Sequence, residues 1–237
     1  MSFASKTVRK ITSWSFSRWN TYEQCPRLAK YKFIDKLKEP GSAAMDRGTE
    51  LHAHCEKYLK AGGRIHKDVK LISAQLKDLR NRGALAEADF TFKQDWSPTR
   101  WDDWNGAWCR IKADALVPPV VDEVDPTVEV KDFKTGGQRK LETGDFEEYY
   151  TQLELYSLGG LLTYPSAKFA KSSLVFIDFG KVVESPEVLK RGDEKKLMKK
   201  WETRTKRMLA DTTFKPKPGN GCRWCHFRKS NGGPCEF

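Results

Sequence analysis

The stretch VEVKDFKTGG, Val128 to Gly137, decides how this chain is read. It opens as a β-strand, with β-branched valines alternating with polar residues. Side chains in a strand alternate between faces, so Val128, Val130, Asp132 and Lys134 share one face. A valine face that continues as a carboxylate and an ammonium before a Gly-Gly turn has two explanations. In the plainer one, the strand end meets water and Asp132 and Lys134 form a wet ion pair worth about 0–1 kcal/mol. In the other, a dry strand delivers an acid and a cation to a chemical site. Partners elsewhere in the chain decide between them.

The chain has 237 residues, 38% of them hydrophobic and 12% aromatic. That is enough for a buried core, in one elaborated domain or one domain with a small appendage. No run approaches the 18 or more apolar residues of a membrane span, and the leading MSFASKTVRKITSW lacks the apolar stretch of a signal peptide. The expectation is a soluble protein with no membrane association, in the cytoplasm of a bacterium or a phage-infected host. Lys and Arg outnumber Asp and Glu by 43 to 32, a net charge of +11. Such an excess favours a polyanionic partner such as nucleic acid, because cations that neutralise phosphates release condensed counterions.

The helical spacing of SFSRWNTYEQCPRLAKYKFIDKL predicts one or two helices, with Ser15 as an N-cap and Pro26 opening the second. MDRGTELHAHCEKYLKAGG predicts a helix ending at Gly62-Gly63, followed by a helical stretch over residues 67–82. Strands are expected near residues 88–93, 108–117 and 128–134, then a helix over DFEEYYTQLELYSLGGLLTY and a hairpin over SSLVFIDFGKVVES. SPEVLKRGDEKKLMKKWETRTKRMLAD reads as one long basic helix with Leu197, Trp201 and Met208 at helical spacing. This order implies an α/β fold with a mixed central sheet flanked by helices. Three segments are expected: residues 1–45, helical and contributing Cys25; residues 46–185, the core; and residues 186–237, the basic helix and a cysteine-bearing tail.

Asp114 lies in the strand IKADALV, where Ile111, Ala113, Ala115 and Val117 alternate with Lys112, Asp114 and Leu116; alone, it could simply face water. Next to a strand ending in Asp132, about 4.8 Å away, it would form a carboxylate pair that repels unless a cation lies between. His52 sits on the preceding helix and shares a face with Glu56. A lone helical histidine is usually a core or surface residue. With Asp114, Asp132 and Lys134, however, it completes a set of one imidazole, two carboxylates and an ammonium. Mixed N/O ligation with open water positions suits Mg²⁺ or Mn²⁺, which can activate water and neutralise a departing oxygen.

GTELH on a helix, ADAL on a strand, KDFKTG and then QLELY resemble, in order and placement, the RecB-like branch of the PD-(D/E)xK nuclease superfamily, which includes Cas4-type exonucleases. The resemblance runs from SFSRWNTYEQCP to CRWCHFRKSNGGPC and implies a restriction-endonuclease-like core. It implies that His52, Asp114 and Asp132 are metal ligands, joined by the Phe133 carbonyl, and that Lys134 is the catalytic lysine. Gln152 and Tyr156 match the branch's QxxxY motif, facing DNA or the site. Two departures stand out: Asp132 replaces the branch's common Glu, and Lys112 stands where a Gly often precedes the first Asp.

Cys222 and Cys225 form a CxxC and Cys235 follows ten residues on, leaving a four-coordinate metal one ligand short. The resemblance nominates Cys25 as the fourth, joining the N- and C-terminal segments. Four thiolates suit a [4Fe–4S] cluster or a structural Zn²⁺; Cas4-type relatives typically hold the cluster, and a structural role is expected of it. Cys55 and Cys109 are read as small core residues. DWSPTRWDDWNGAW places Trp96, Trp101, Trp104 and Trp108 within thirteen residues, either as a packed hairpin or as stacking surfaces for single-stranded bases.

The site residues and the resemblance together imply a divalent-metal-dependent DNA nuclease. The resemblance further implies an exonuclease on single-stranded ends, since that branch commonly works so, in recombination, repair or phage DNA metabolism, with DNA and a recombination protein as partners. The rivals are a structure-specific or nicking endonuclease with the same site, and a non-catalytic DNA-binding or interaction subunit.

Overall fold

Residues 9–237 are described by a computed structural model; the first eight residues of the leading stretch lie outside the described residues. The fold divides into two compact units, residues 42–199 and the chain ends, residues up to 41 with 200–237.

The larger unit is built on a mixed sheet. Its strands are β1 (Leu85–Phe92), β2 (Pro98–Thr99), β3 (Cys109–Val117), β4 (Thr127–Lys134), β5 (Phe169–Phe176), β6 (Lys181–Glu184) and β7 (Leu189–Lys190). The order is β2-β1-β3-β4-β5-β6, with β7 also paired to β5. Only β4 and β5 run parallel among these pairs. A parallel pair needs a long crossover, supplied by α5 (Gln138–Thr143) and α6 (Glu147–Thr163).

One face of the sheet is covered by α3 (Ala43–Ala61), a 3₁₀ segment (Lys67–Ile72) and α4 (Ser73–Asn81). Leu51, Cys55 and Leu59, spaced four apart on α3, pack with Ile72, Leu76, Ala115, Phe133 and Val175 in one buried cluster. The helix expected over residues 67–82 is divided at Ile72, at φ −104° and ψ 20°, into a 3₁₀ segment, itself kinked at Val69, and α4. The other face receives α6, whose Leu153 packs with Leu174 and Phe176. Gly159 and Gly160 let α6 approach closely: a Cβ there would stand 2.9 Å from Ile111 and 3.1 Å from Val128. The Gly136-Gly137 turn after β4 takes left-handed backbone at φ 66° and 85°, and a Cβ on Gly137 would meet Phe176 at 2.8 Å.

One expected element is shorter than its sequence pattern. The basic helix does not begin at Ser185: Leu189–Lys190 pairs with β5, and α7 runs from Glu194 to Ala210. Gly192, at φ 107°, turns the chain between them. Arg191 anchors the turn by donating to the carbonyls of Leu161, Tyr164 and Ala167.

In the smaller unit Ser15 caps α1 (Phe16–Gln24), accepting from the Arg18 N–H, and Pro26 opens α2 (Pro26–Ala29). Trp201, fully buried on α7, stacks on Trp14 at 5.5 Å and meets Trp19 edge-on at 5.3 Å. Leu197 and Met208 are buried on the same helix. Among the described residues, no helix is long and apolar enough to cross a membrane.

Candidate active site

The β3–β4 ladder pairs Ala115 with Lys131, Leu116 with Val130 and Val117 with Glu129, and goes no further. The two strands part at Asp114 and Asp132. The Phe133 N–H, which a continued ladder would have used, is taken instead by Asp114 Oδ2 at 2.6 Å. Asp114 Oδ1 lies 3.0 Å from Nδ1 of His52, which α3 brings across from its own side of the sheet. The His52 ring stands edge-on to Phe133. Burial acts to lower the His52 pKa, but the Asp114 hydrogen bond and the charges of Asp114 and Asp132 outweigh it and raise it.

Asp132 is 4% exposed, and its Oδ2 lies 2.6 Å from Lys134 Nζ without aligned hydrogen-bond geometry to any donor. Burial, with Asp114 beside it, pushes its carboxyl up to about 6 even though Lys134 and His52 pull the other way. Lys134 Nζ donates to Gln152 Oε1 at 2.9 Å, and Gln152 Nε2 donates to the Tyr156 hydroxyl at 2.6 Å. Gln152 and Tyr156 stand four apart on α6, so the chain of contacts runs along one helix face. Tyr156 is buried, and burial and the Asp132 charge raise its pKa. The strand end is therefore not wet: the ion pair of Asp132 and Lys134 sits inside a network.

Beside Asp114 opens a cleft of about 430 Å³ lined by Gly48, Thr49, His52, Ala53, Glu56, Glu87 and Asp114. Two neighbours of the site were not singled out from the sequence. Glu87 sits on β1 opposite Asp114, between Ala86↔Ala115 and Ala88↔Ala113, with φ 54°, and pairs with Lys112. A non-glycine residue in left-handed backbone inside a strand is strained, and nothing local in EAD announces it. Tyr149 places its ring 4.4 Å from Lys134 Nζ and 4.1 Å from Lys140 Nζ. Its position three residues before Gln152 on the same helix was the available signal.

In the smaller unit Cys25, Cys222, Cys225 and Cys235 line one cavity of about 320 Å³. Cys25 ends α1, Cys222 lies within a 3₁₀ turn (Asn220–Trp224) and Cys225 caps its end. Cys235 is bridged to Arg228, and the Lys217 N–H points at the Cys25 sulfur at 3.4 Å. All four thiols are free. Burial first, then the charges of Cys235, Cys25 and Cys222, raise the Cys225 thiol. Cys55 and Cys109 are fully buried in the larger unit, as expected of core residues. Outside these two sites, His54, His66 and Asp68 bring ligand atoms within 4.8 Å of one another. The two imidazoles are face-stacked at 3.6 Å, so their in-plane lone pairs do not converge on one point.

The site thus lies where splayed strands of a mixed sheet carry Asp114 and Asp132-x-Lys134 beneath a helix with His52. The sequence profile of the PD-(D/E)XK nuclease superfamily matches residues 13–230, and the chain belongs to it. A protein from Eubacterium rectale assigned as an exonuclease is similar in fold: 11% identical, covering 98% of this chain and 93% of that one, TM-score 0.54. An alkaline exonuclease from Laribacter hongkongensis is 14% identical over 86% of this chain and 89% of its own, TM-score 0.43. No match was found among curated protein sequences.

Proposed function

We propose that the chain is a divalent-metal-dependent DNA exonuclease that hydrolyses phosphodiester bonds at single-stranded ends. One observation carries the reading: where β3 and β4 part, Asp114 meets His52 and the Phe133 N–H, and Asp132, next to Phe133 on β4, meets Lys134. The donor set fits Mg²⁺ or Mn²⁺, since the buried Asp132 feels the charge of Asp114 and its Oδ2 lacks an aligned donor. Asp114, Asp132 and His52 would hold the ion, with the Phe133 carbonyl as a further ligand. When bound, such an ion supplies Lewis acidity and a water of lowered pKa.

The chain's own residues do the remaining work. With Nδ1 turned to Asp114, the His52 ring is fixed in orientation, and its Nε2 is left to face a ligand. Lys134 is the cation placed to stabilise charge developing on the phosphoryl oxygens or to orient the attacking water. Gln152 holds Lys134 through its carbonyl oxygen, and Tyr156 holds Gln152 in turn. The net charge of +11 favours retention of the polyanionic substrate.

The four cysteines of the smaller unit are read as ligands of a [4Fe–4S] cluster with a structural role. Four thiols lining one cavity suit either group, and the resemblance to cluster-bearing relatives favours the iron–sulfur cluster. Iron and acid-labile sulfide in the purified protein would bear this out, and zinc alone would reverse it. A role in recombination, repair or phage DNA metabolism, beside a protein partner, is the setting we favour.

The test is degradation of end-labelled single-stranded DNA in Mg²⁺ or Mn²⁺, wild type beside Lys134→Ala. Loss of label with wild type only, abolished by EDTA, is expected. Cutting of covalently closed circles would favour the endonuclease instead. If neither protein cuts single-stranded, duplex or circular DNA, the catalytic reading fails and a non-catalytic subunit takes its place.

A further inference from the structure

The four tryptophans of residues 96–108 are treated in two ways by the fold. Trp96 is 5% exposed and packs against Phe92 and, edge-on, Trp108. Trp101 and Trp104 are instead 39% and 80% exposed. The Arg110 guanidinium lies against both, 6.0 Å from the Trp101 ring centre and 5.4 Å from that of Trp104. Core packing accounts for the first pair of rings and leaves the second unexplained.

The loop carrying these rings is internally tied. Asp103 accepts from the Thr99 hydroxyl and the Gly106 N–H, each at 2.7 Å. Arg110 donates to the carbonyls of Trp101 and Asp103, both at 3.3 Å. Asp102, which would otherwise repel a phosphate, is gripped by both arms of Arg100 at 2.9 and 2.8 Å. The acidic charge of DWSPTRWDDWNGAW is thus occupied within the loop.

Its place on the sheet gives the loop a direction. Arg110, Lys112 and Asp114 take alternate positions of β3, with Cys109, Ile111 and Ala113 buried between them. Four residues of strand span about 13 Å. At 3.4 Å or more per nucleotide along one strand, that is the length of a few nucleotides.

We infer that Trp101 and Trp104, held by Arg110, form a stacking platform for unpaired bases of the DNA strand whose phosphate reaches Asp114. The inference rests on the nuclease reading and adds a base-binding subsite to it. Paired bases hide their faces in the duplex stack, and only unpaired ones can lie on a protein ring. Arg110 complements the strand twice over, as a cation for its phosphates and as the group that orients the rings.

The experiment is binding by the full-length protein, with Ca²⁺ replacing Mg²⁺, to a short oligothymidine and to an abasic strand of equal length and charge. Stacking on one base is worth about 5- to 150-fold in affinity, so wild type should prefer oligothymidine by a factor in that range. Trp104→Ala should remove most of that preference without weakening binding of the abasic strand. Trp104→Phe should keep it, which separates loss of the ring from loss of the fold. An unchanged preference in Trp104→Ala overturns the platform, and so does an equal loss on blunt duplex. If wild type cuts DNA yet shows no preference for bases, the platform alone fails. If it neither binds nor cuts DNA, the nuclease reading has failed and the platform falls with it.

Discussion

Two carboxylates, one in each unit, are treated in opposite ways. Asp211 in the smaller unit is surrounded by donors: the N–H groups of Thr213 and Phe214, the Thr213 hydroxyl and the Tyr22 hydroxyl, at 2.7 to 3.0 Å. Burial alone would raise its carboxyl, but those bonds outweigh it and hold it at about 2. Asp132 in the larger unit is buried beside a second carboxylate, and its pKa is pushed up to about 6. A carboxylate with its lone pairs satisfied locks a turn and asks for nothing more. The burial of one beside another acid is only partly offset by Lys134, 2.6 Å away, and its ionised form stays costly. That contrast separates an acid that locks a turn from the one to which the proposed function gives a metal.

The largest effect that would break the contrast is on activity. Asp132→Asn should lower kcat by at least about 10³-fold, because under the proposed function it removes a metal ligand, and even outer-shell changes cost 10- to 100-fold. Lys134→Ala should cost about 10²–10³-fold, the scale of losing one charge-stabilising donor. Asp211→Asn should leave kcat near wild type while lowering the melting temperature. Single-turnover cleavage alongside thermal melts separates these outcomes. If Asp211→Asn slows cleavage as much as Asp132→Asn does, the assignment of roles is wrong.

The second effect is on stability, and its sign differs between the two acids. The raised Asp132 pKa gives a stabilising contribution that is fully present below the unfolded value near 3.9 and is lost as pH rises through about 6. The depressed Asp211 pKa contributes above the unfolded value and is lost as pH falls toward about 2. Denaturant melts of EDTA-treated protein should therefore lose an Asp132-dependent part of stability between pH 4 and 6, about 1–3 kcal/mol. Asp132→Asn should abolish that loss. Added Mg²⁺ should restore stability by mass action, about 2.7 kcal/mol at a hundred times Kd, and do so less well below pH 6, where protons compete for Asp132. A Mg²⁺ effect that is the same in wild type and Asp132→Asn would place the ion elsewhere.

The parts of this arrangement that were legible in the sequence are those with a local period. The valine face of residues 128–134, the helix ending at Gly62-Gly63 and the Gly136-Gly137 turn each follow from local pattern alone. Asp114 was harder, because a strand with alternating buried residues places an acid on a wet face as readily as in a site. Its contact with the Phe133 N–H exists only because β3 and β4 part there, a property of two segments nineteen positions apart. Glu87 was illegible for the same reason: its left-handed backbone falls where the ladder to β3 is interrupted, opposite Asp114. The start of α7 failed differently. Val188 to Lys190 suits helix or strand by pattern, and pairing with β5, nearly twenty residues earlier, decides it.

The smallest expected effect concerns how Lys134 is held. Gln152 fixes it by a hydrogen bond, and Tyr149 lies against it with the ring face 4.4 Å from Nζ. A cation over an aromatic face is worth about 0.5–2 kcal/mol, which corresponds to about 2- to 30-fold in rate if the contact survives in the transition state. Tyr149→Leu should lower kcat within that range and leave KM nearly unchanged, whereas Tyr149→Phe, which keeps the face, should stay close to wild type. Equal losses in both variants would assign the effect to the hydroxyl instead. No loss in either would mean that Gln152 alone positions the lysine. Gln152→Ala should then show the larger defect, since it removes the bond and also leaves the buried Tyr156 hydroxyl without the amide that meets it at 2.6 Å.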